Sequence, residues 1–292
     1  MFFLHKWEKN LESDIDCMET SVQPYIALFY AFRKIRHDFA NYVQTLQLFA
    51  ETENYEEKKK MKKEILGQIG QFYENVPKDA PYFPAFRAKA PENAYGSALY
   101  ETWSAIRQEM EKLPATICEM LGPLQKLQDQ LERSLDPDEP ETEELLSGLD
   151  RFRSLPMEAS PALSALMDLC MQEAEQTGCL LRYKICLPTC FQIAYPDLLL
   201  LYRQVFWLAL SGAGQSGKEN GQETRSIIFR SVEKFDIWHL HLEYPYAEKA
   251  QGNQPKIQNT PQYRCIRKLA KKYKLQLKSA QTSDGISLDL TR

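Results

Sequence analysis

The residues best suited to chemistry lie in Ile35–Asn41, which reads Ile-Arg-His-Asp-Phe-Ala-Asn within a long helical pattern. In a helix, Asn41 lies one turn from His37 on the same face, and Asp38 lies about 100° around on its flank. An exposed imidazole can attack a phosphoryl group, while a neighbouring carboxylate holds one ring nitrogen as N–H and leaves the other free. The pattern predicts a phospho-accepting His37 with Asp38 and Asn41 as helpers. The alternative is a surface histidine in a polar neighbourhood.

A longer segment around this histidine is similar to a known family. The stretch Phe32–Phe49, FRKIRHDFANYVQTLQLF, resembles the phospho-acceptor helix of sensor histidine kinases. Its Arg-His-Asp-x-x-Asn motif is the variant found in peptide-sensing kinases and in the sporulation initiation phosphotransferases. Glu51–Asn75 is similar to the turn and second helix of their hairpin. Ser160–Pro188 is similar to the helix and first strand that open the GHKL ATPase-like domain.

The resemblance implies partners and roles. Receiver domains of response regulators would exchange phosphoryl groups with His37 and would supply the Mg²⁺, so no cofactor is expected on this chain. Arg33 and Arg36 lie within one turn of His37. We predict that they help to attract an acidic receiver domain.

The first helix is predicted to run from Ser21 to Ala50, and the second carries a short apolar stripe. In the first helix, residues recur at steps of three and four and form a seam beside His37, in which Arg36 fills the one gap between the apolar members: Tyr25, Phe29, Phe32, Phe39, Val43 and Leu46. Two helices of this length cannot enclose a core alone. We therefore predict a homodimer in which two hairpins form a four-helix bundle, as the resemblance also implies.

The predicted fold class is α+β in three parts. Residues 1–75 form the histidine hairpin, residues 76–155 a helical insert with an acidic linker, and residues 156–292 an α/β sandwich of the GHKL ATPase type. Within the insert, a helical region over Ala94–Ser134 is predicted to break at Pro114 and at Gly122-Pro123. A further short helix is predicted over Glu143–Phe152.

The C-terminal part is predicted to be one mixed sheet covered on one face by helices. The helices are predicted over Pro161–Gln176, Leu198–Leu210 and Tyr263–Lys274, and the strands over Leu180–Leu187, Ser226–Glu233, Phe235–Glu243, Gln276–Ala280 and Ile286–Leu290.

Positions that would hold nucleotide in active GHKL members have lost the required groups. The family's Asn-Leu-Leu-Asp-Asn-Ala-Ile-Glu-Ala helix aligns with residues 204–212, which places Leu208 at the metal-holding amide and Ser211 at the acid. A leucine cannot ligate a hard cation, which requires oxygen. The family's Gly-x-Gly-Leu motif aligns with Thr260–Tyr263, where both glycines are missing. The Gly-rich loop Ser211–Thr224 lacks the strand–turn–helix context of a phosphate site. We predict that ATP is neither bound nor hydrolysed.

Composition narrows the remaining classes. The net charge of −4 gives no electrostatic case for nucleic acid. Apolar runs fall short of the roughly 18–20 residues of a membrane span, so we expect no membrane segment. The 7 cysteines are scattered without a Cys-x-x-Cys pair, which predicts free thiols, a cytoplasmic location and no zinc site. His239 and His241 alternate along a strand, but no third metal ligand lies nearby in sequence.

Two function classes are left. The first is a two-component phosphorelay protein in which His37 passes a phosphoryl group between receiver aspartates without ATP. The second is a catalytically inactive pseudo-histidine-kinase that binds and regulates a kinase or response regulator. The intact His-Asp-x-x-Asn group favours the first class, and the large insert with the altered C-terminal domain favours the second.

Overall fold

The computed structural model describes residues 2–48, 55–83, 93–133, 140–152, 160–213, 225–245, 257–281 and 285–292. The chain divides into two compact units. We call them the helical unit, Ser13–Phe86 with Met110–Met157, and the sheet unit, Met1–Glu12 with Arg87–Glu109 and Glu158–Arg292.

Within these described residues, the helices and strands follow one another largely in the predicted order. The helices are α1 Phe2–Leu48, α2 Tyr55–Asn75, α3 Ala94–Met110, α4 Leu113–Arg133, α5 Pro140–Asp150, α6 Pro161–Gln176, α7 Tyr195–Ala213 and α8 Pro261–Lys272. The strands are β1 Cys179–Ile185, β2 Arg225–Lys234, β3 Ile237–Pro245, β4 Gln276–Gln281 and β5 Gly285–Thr291.

Helix α1 is a single run of 47 residues. It begins at Phe2, so the predicted start at Ser21 is wrong, and the predicted last residue, Ala50, lies outside the described residues. The spacing of the seam continues towards the N-terminus, where its members are buried: Leu11, Ile15, Met18 and Val22. Pro24 lies inside the helix without ending it. The early start therefore follows from apolar periodicity upstream of the histidine motif.

The core of the helical unit is formed by α1, α2, α4 and α5 of one chain. The Phe32 ring packs edge-on against the rings of Phe72 and Phe152, with centroids 6.4 Å and 5.4 Å away. Helix α4 adds a row of buried residues, namely Ile117, Met120, Leu124, Leu127 and Leu131. The insert helices thus bury the seam that was expected to need a second copy. Burial of the seam therefore requires no second copy, and the homodimer stays a prediction.

Of the two predicted helix breaks in the insert, one lies close to its predicted place and the other is wrong. One break falls at Glu111–Lys112, just before Pro114, which lies in the first turn of α4. Gly122-Pro123 does not interrupt α4, so that predicted break is wrong. Leu124 is fully buried directly after the proline, and packing of this face maintains the helix despite the missing backbone donor.

The sheet unit contains a five-stranded sheet of order β1-β2-β3-β5-β4. Strands β1 and β2 are parallel, and the other neighbours are antiparallel, so the predicted mixed sheet is confirmed. Helices α6, α7 and α8 contact β1, β3 and β4, respectively. The predicted strand Phe235–Glu243 begins at Ile237 instead, because Phe235 and Asp236 adopt φ values of 52° and 59° in a turn.

Candidate functional site

Helix α1 presents His37 on the surface of the helical unit. The neighbouring Ile35 and Phe39 are buried, with 1% and 0% of their surface exposed. The His37 side chain is 70% exposed and the Asp38 side chain 31%. The apolar residues anchor the helix, and the imidazole between them faces outward. A helix anchored in the core therefore holds an exposed imidazole.

The structure brings the three predicted site residues together at one ring nitrogen. The Nδ1 atom of His37 lies 3.1 Å from Oδ1 of Asp38 and 3.3 Å from Nδ2 of Asn41. The Nε2 atom of His37 makes no hydrogen bond among the described residues. The two nitrogens of the ring therefore have different surroundings, one anchored and one free.

The Asp38 carboxylate selects the tautomer of this histidine. An ionised carboxylate only accepts hydrogen bonds, so the short contact is favourable when Nδ1 carries the proton and donates it. Asn41 then assists Nδ1–H only with its side-chain oxygen, which a half-turn of the amide places where Nδ2 now lies. In this tautomer Nε2 carries the lone pair and faces solvent, which is the arrangement a nucleophile needs.

A fourth residue, Gln68, completes the site from α2. Its Nε2 donates to Oδ2 of Asp38 at 2.8 Å, so Asp38 bridges His37 and Gln68 with its two oxygens. Sequence reasoning missed this residue. The available signal was its place directly before buried Ile69 and three residues after buried Ile65, at the edge of the apolar stripe.

The surroundings keep Asp38 ionised. Burial raises the pKa of this carboxyl. Hydrogen bonds from Gln68 and His37, together with the charges of His37 and Lys34, lower the pKa by more than burial raises it. The net result is a pKa below the ordinary aspartate value. Asp38 is therefore an acceptor at neutral pH, as the Nδ1–H tautomer requires.

The two arginines that are predicted to bind a partner are less exposed than His37. The Nη1 atom of Arg36 lies 2.5 Å from Oδ1 of Asp150 at the end of α5, and the Arg36 side chain is only 22% exposed. Arg33 is half-buried. The insert thus engages the guanidinium next to His37, and the role of both arginines in partner binding stays a prediction.

In the sheet unit, the residues aligned with nucleotide-binding positions are buried or bonded to the protein's own backbone. Leu208 is 1% exposed, and the Ser211 hydroxyl donates to the Leu208 carbonyl at 3.0 Å. Thr260 caps α8, since its hydroxyl accepts from the Tyr263 amide at 3.2 Å. Of the Gly-rich loop, residues 214–224 lie outside the described residues.

A buried polar network that sequence reasoning missed connects α3, α7 and α8. Asp197 is 2% exposed and accepts hydrogen bonds from the hydroxyls of Tyr95 and Tyr273. The ammonium of Lys272 lies 2.6 Å from its Oδ2 atom. The carboxylate is thus fully occupied by side chains of its own unit and is a structural element.

The two strand histidines also have defined surroundings. His241 lies 2.7 Å from Asp289 on the neighbouring strand and 3.7 Å from Glu243, while His239 is exposed. Among the described residues, no group of three or more His, Cys, Asp or Glu side chains is arranged to hold a metal ion. Within the same residues, no helix has both the length and the apolar character needed to cross a membrane.

Comparison with known proteins finds distant structural similarity. No protein-family model and no curated protein matches the sequence. Similar solved structures include histidine kinase domains and a phosphotransferase. The catalytic domain of histidine kinase ThkA has 10% identity over 43% of this chain and 86% of its own, with a TM-score of 0.32. The blue-light activated histidine kinase EL346 of Erythrobacter litoralis has 12% identity over 72% of this chain and 62% of its own, with a TM-score of 0.34.

A bacterial phosphotransferase has 8% identity over 68% of this chain and 91% of its own, with a TM-score of 0.31.

Proposed function

We propose that this protein is a histidine phosphotransferase of two-component signalling, which carries a phosphoryl group on His37 between receiver-domain aspartates. The observation that supports it is the asymmetry of the imidazole: Nδ1 contacts Asp38 at 3.1 Å, while Nε2 has no hydrogen-bond partner among the described residues and the side chain is 70% exposed. A surface histidine without chemistry has no need of a carboxylate that is itself fixed by a second helix.

The proposed transfer needs no external oxidant or water. The Nε2 lone pair of His37 attacks the phosphorus of a receiver aspartyl phosphate. The N–P bond forms, the P–O bond to the aspartate breaks, and the carboxylate leaves with the electron pair. The ring gains positive charge, which Asp38 stabilises through Nδ1–H. An aspartate of a second receiver then attacks the same phosphorus, and the imidazole leaves neutral.

We propose that the chain does this without ATP and without a resident metal. A receiver domain would bring the Mg²⁺ that neutralises charge on the phosphoryl group. The buried Leu208 and the capping role of Thr260 support the loss of nucleotide binding. Calorimetry with Mg-ATP tests this part: micromolar affinity, or phosphorylation of His37 from ATP, would contradict it.

A second candidate is the inactive pseudo-histidine-kinase that binds a kinase or response regulator as a regulatory module. The Arg36–Asp150 ion pair favours it, because one of the two cations predicted to attract a receiver is already engaged within the chain. The two candidates differ in whether His37 ever carries a phosphoryl group.

Transfer of radioactive label decides between them. Receiver domains phosphorylated with labelled acetyl phosphate are incubated with the wild type, with His37→Gln and with His239→Gln, a control at another exposed histidine. We expect acid-labile label on the wild type and on the control, and none on His37→Gln. Equal labelling of all three proteins, or no labelling by any of a panel of receivers, would contradict the carrier role and favour the regulatory module.

Two further parts of the proposal need their own tests. A homodimer through the hairpin now rests on the family resemblance alone, since α4 and α5 bury the seam within the chain. Light scattering at micromolar concentration tests it.

We also propose a cytoplasmic location, supported by the free thiols of all seven cysteines.

A further inference from the structure

We infer that Gln68 is a positioning residue for His37, which it orients through Asp38. The inference rests on the proposed function for its chemical meaning, but its geometry does not. Three of the four polar residues at the site lie on α1, and the fourth, Gln68, reaches Asp38 from α2. The second helix thereby controls how the carboxylate faces the imidazole.

Gln68 holds one oxygen of Asp38 so that the other meets His37. The Gln68 Nε2 atom lies 2.8 Å from Oδ2, and the His37 Nδ1 atom lies 3.1 Å from Oδ1. A carboxylate fixed at one oxygen has lost most of its freedom to rotate, so the other oxygen stays aligned with Nδ1–H. Without the amide, the partly exposed carboxylate would turn towards water for part of the time.

The orientation of the Gln68 amide is itself determined. Turning it over would place Oε1 against the carboxylate, where two acceptors repel each other. In the observed orientation Oε1 is buried and has no hydrogen-bond partner among the described residues. An unpartnered buried oxygen is destabilising, and an apolar side chain at the edge of this stripe would avoid that loss. The glutamine therefore bonds Asp38 through Nε2 while its Oε1 stays unpartnered. Such a local conflict is typical of functional positions.

The chain offers a matched control three residues further along α2. Gln71 is the same residue type, is exposed, and its side chain makes no hydrogen bond among the described residues. Gln68→Met keeps the length of the side chain and removes its donors, and Gln71→Met makes the same change away from the site. Gln68→Leu is a second variant in case the thioether packs poorly.

Nuclear magnetic resonance of ¹⁵N-histidine and ¹³C-aspartate reports the positioning directly, without any phosphoryl donor. In the wild type and in Gln71→Met we expect mainly the Nδ1–H tautomer of His37. Either substitution at Gln68 should raise the population of the other tautomer severalfold and shift the titration of Asp38 to higher pH. An unchanged tautomer ratio and an unchanged Asp38 titration in both variants would overturn the inference.

Label transfer then connects the geometry to the reaction. We expect the Gln68 variants to accept label about tenfold more slowly at neutral pH, as for the loss of one hydrogen bond to a charged group. Their unfolding midpoints should lie close to that of the wild type, because the loss of the hydrogen bond to Asp38 and the removal of the unpartnered buried oxygen have opposite effects. A slow variant with a wild-type tautomer ratio would overturn the positioning role. If the wild type accepts no label, the proposed function fails, while the resonance experiment still decides the role of Gln68.

Discussion

The sharpest test of the site is Asp38→Asn, which keeps the shape of the side chain and removes its charge. In the wild type the carboxylate accepts from both His37 and Gln68. An amide replaces one of the two carboxylate oxygens with an NH₂ group, so only one of the two contact positions can still accept a hydrogen bond. Its NH₂ group would face either the donor of Gln68 or Nδ1 of His37. The latter arrangement favours the tautomer in which Nε2 carries the proton and cannot attack.

The magnitude follows from the geometry of these contacts. A hydrogen bond that involves a charged group contributes about 1.5–3 kcal/mol when it is buried. Because Asp38 is 31% exposed, solvent reduces this to about 1–2 kcal/mol. Each 1.36 kcal/mol corresponds to tenfold in rate, so transfer to His37 should slow by about 5- to 30-fold. This is far less than the roughly 10⁴-fold loss for a fully buried aspartate behind a catalytic histidine.

Single-turnover transfer from a phosphorylated receiver measures this loss, with thermal unfolding as the control for folding. The lowered pKa of Asp38 also sets the sign of a stability effect. Asp38 stabilises the fold above its ordinary pKa, and this contribution disappears as the pH falls through the lowered value. The wild type should thus be more stable than Asp38→Asn at pH 7, and this difference should disappear in strong acid. Transfer at the wild-type rate, or a loss equal to that of His37→Gln, would refute the role assigned to Asp38.

Two further predictions concern what holds each unit together. Phe39→Ala should reduce the free energy of unfolding by about 3–5 kcal/mol, because the ring is fully buried in the core of the helical unit, and far-UV circular dichroism during urea titration measures it. A loss below about 1 kcal/mol would contradict that packing. Asp197→Ala should cost about 3 kcal/mol, because the two tyrosine hydroxyls and Lys272 lose their acceptor. Tryptophan fluorescence follows this loss, since all four tryptophans lie in the sheet unit, and an unchanged midpoint would show that the network adds no stability.

The elements of the sheet unit could be predicted where local signals mark their ends. Helix α6 has the predicted bounds, because the Ser160 hydroxyl caps its first turn, Pro161 follows, and Gly178 with φ 72° lies beyond its end. The start of β3 was missed for the opposite reason. Lys-Phe-Asp contains neither glycine nor asparagine, so the turn at Phe235 carries no usual sequence signal.

The helical unit was less predictable because its packing is non-local. The seam of α1 was correctly identified as buried, but the sequence does not say which helices bury it. The hairpin taken alone predicts burial by a second copy, whereas α4 and α5 of the same chain cover the seam. Periodicity identifies an apolar face, and only the tertiary contacts identify its partner.

The same limit explains how much of the site could be predicted. His37, Asp38 and Asn41 share one helix, so helix geometry alone brings them together. Gln68 lies 30 residues from Asp38 along the chain, and Asp150 lies 114 residues from Arg36. These two contacts depend on how α2 and α5 pack against α1. The insert thus contributes to the site twice, by burying the seam that holds α1 rigid and by fixing the guanidinium beside the histidine. A change in the packing of α5 would therefore alter the surroundings of His37 without touching the imidazole.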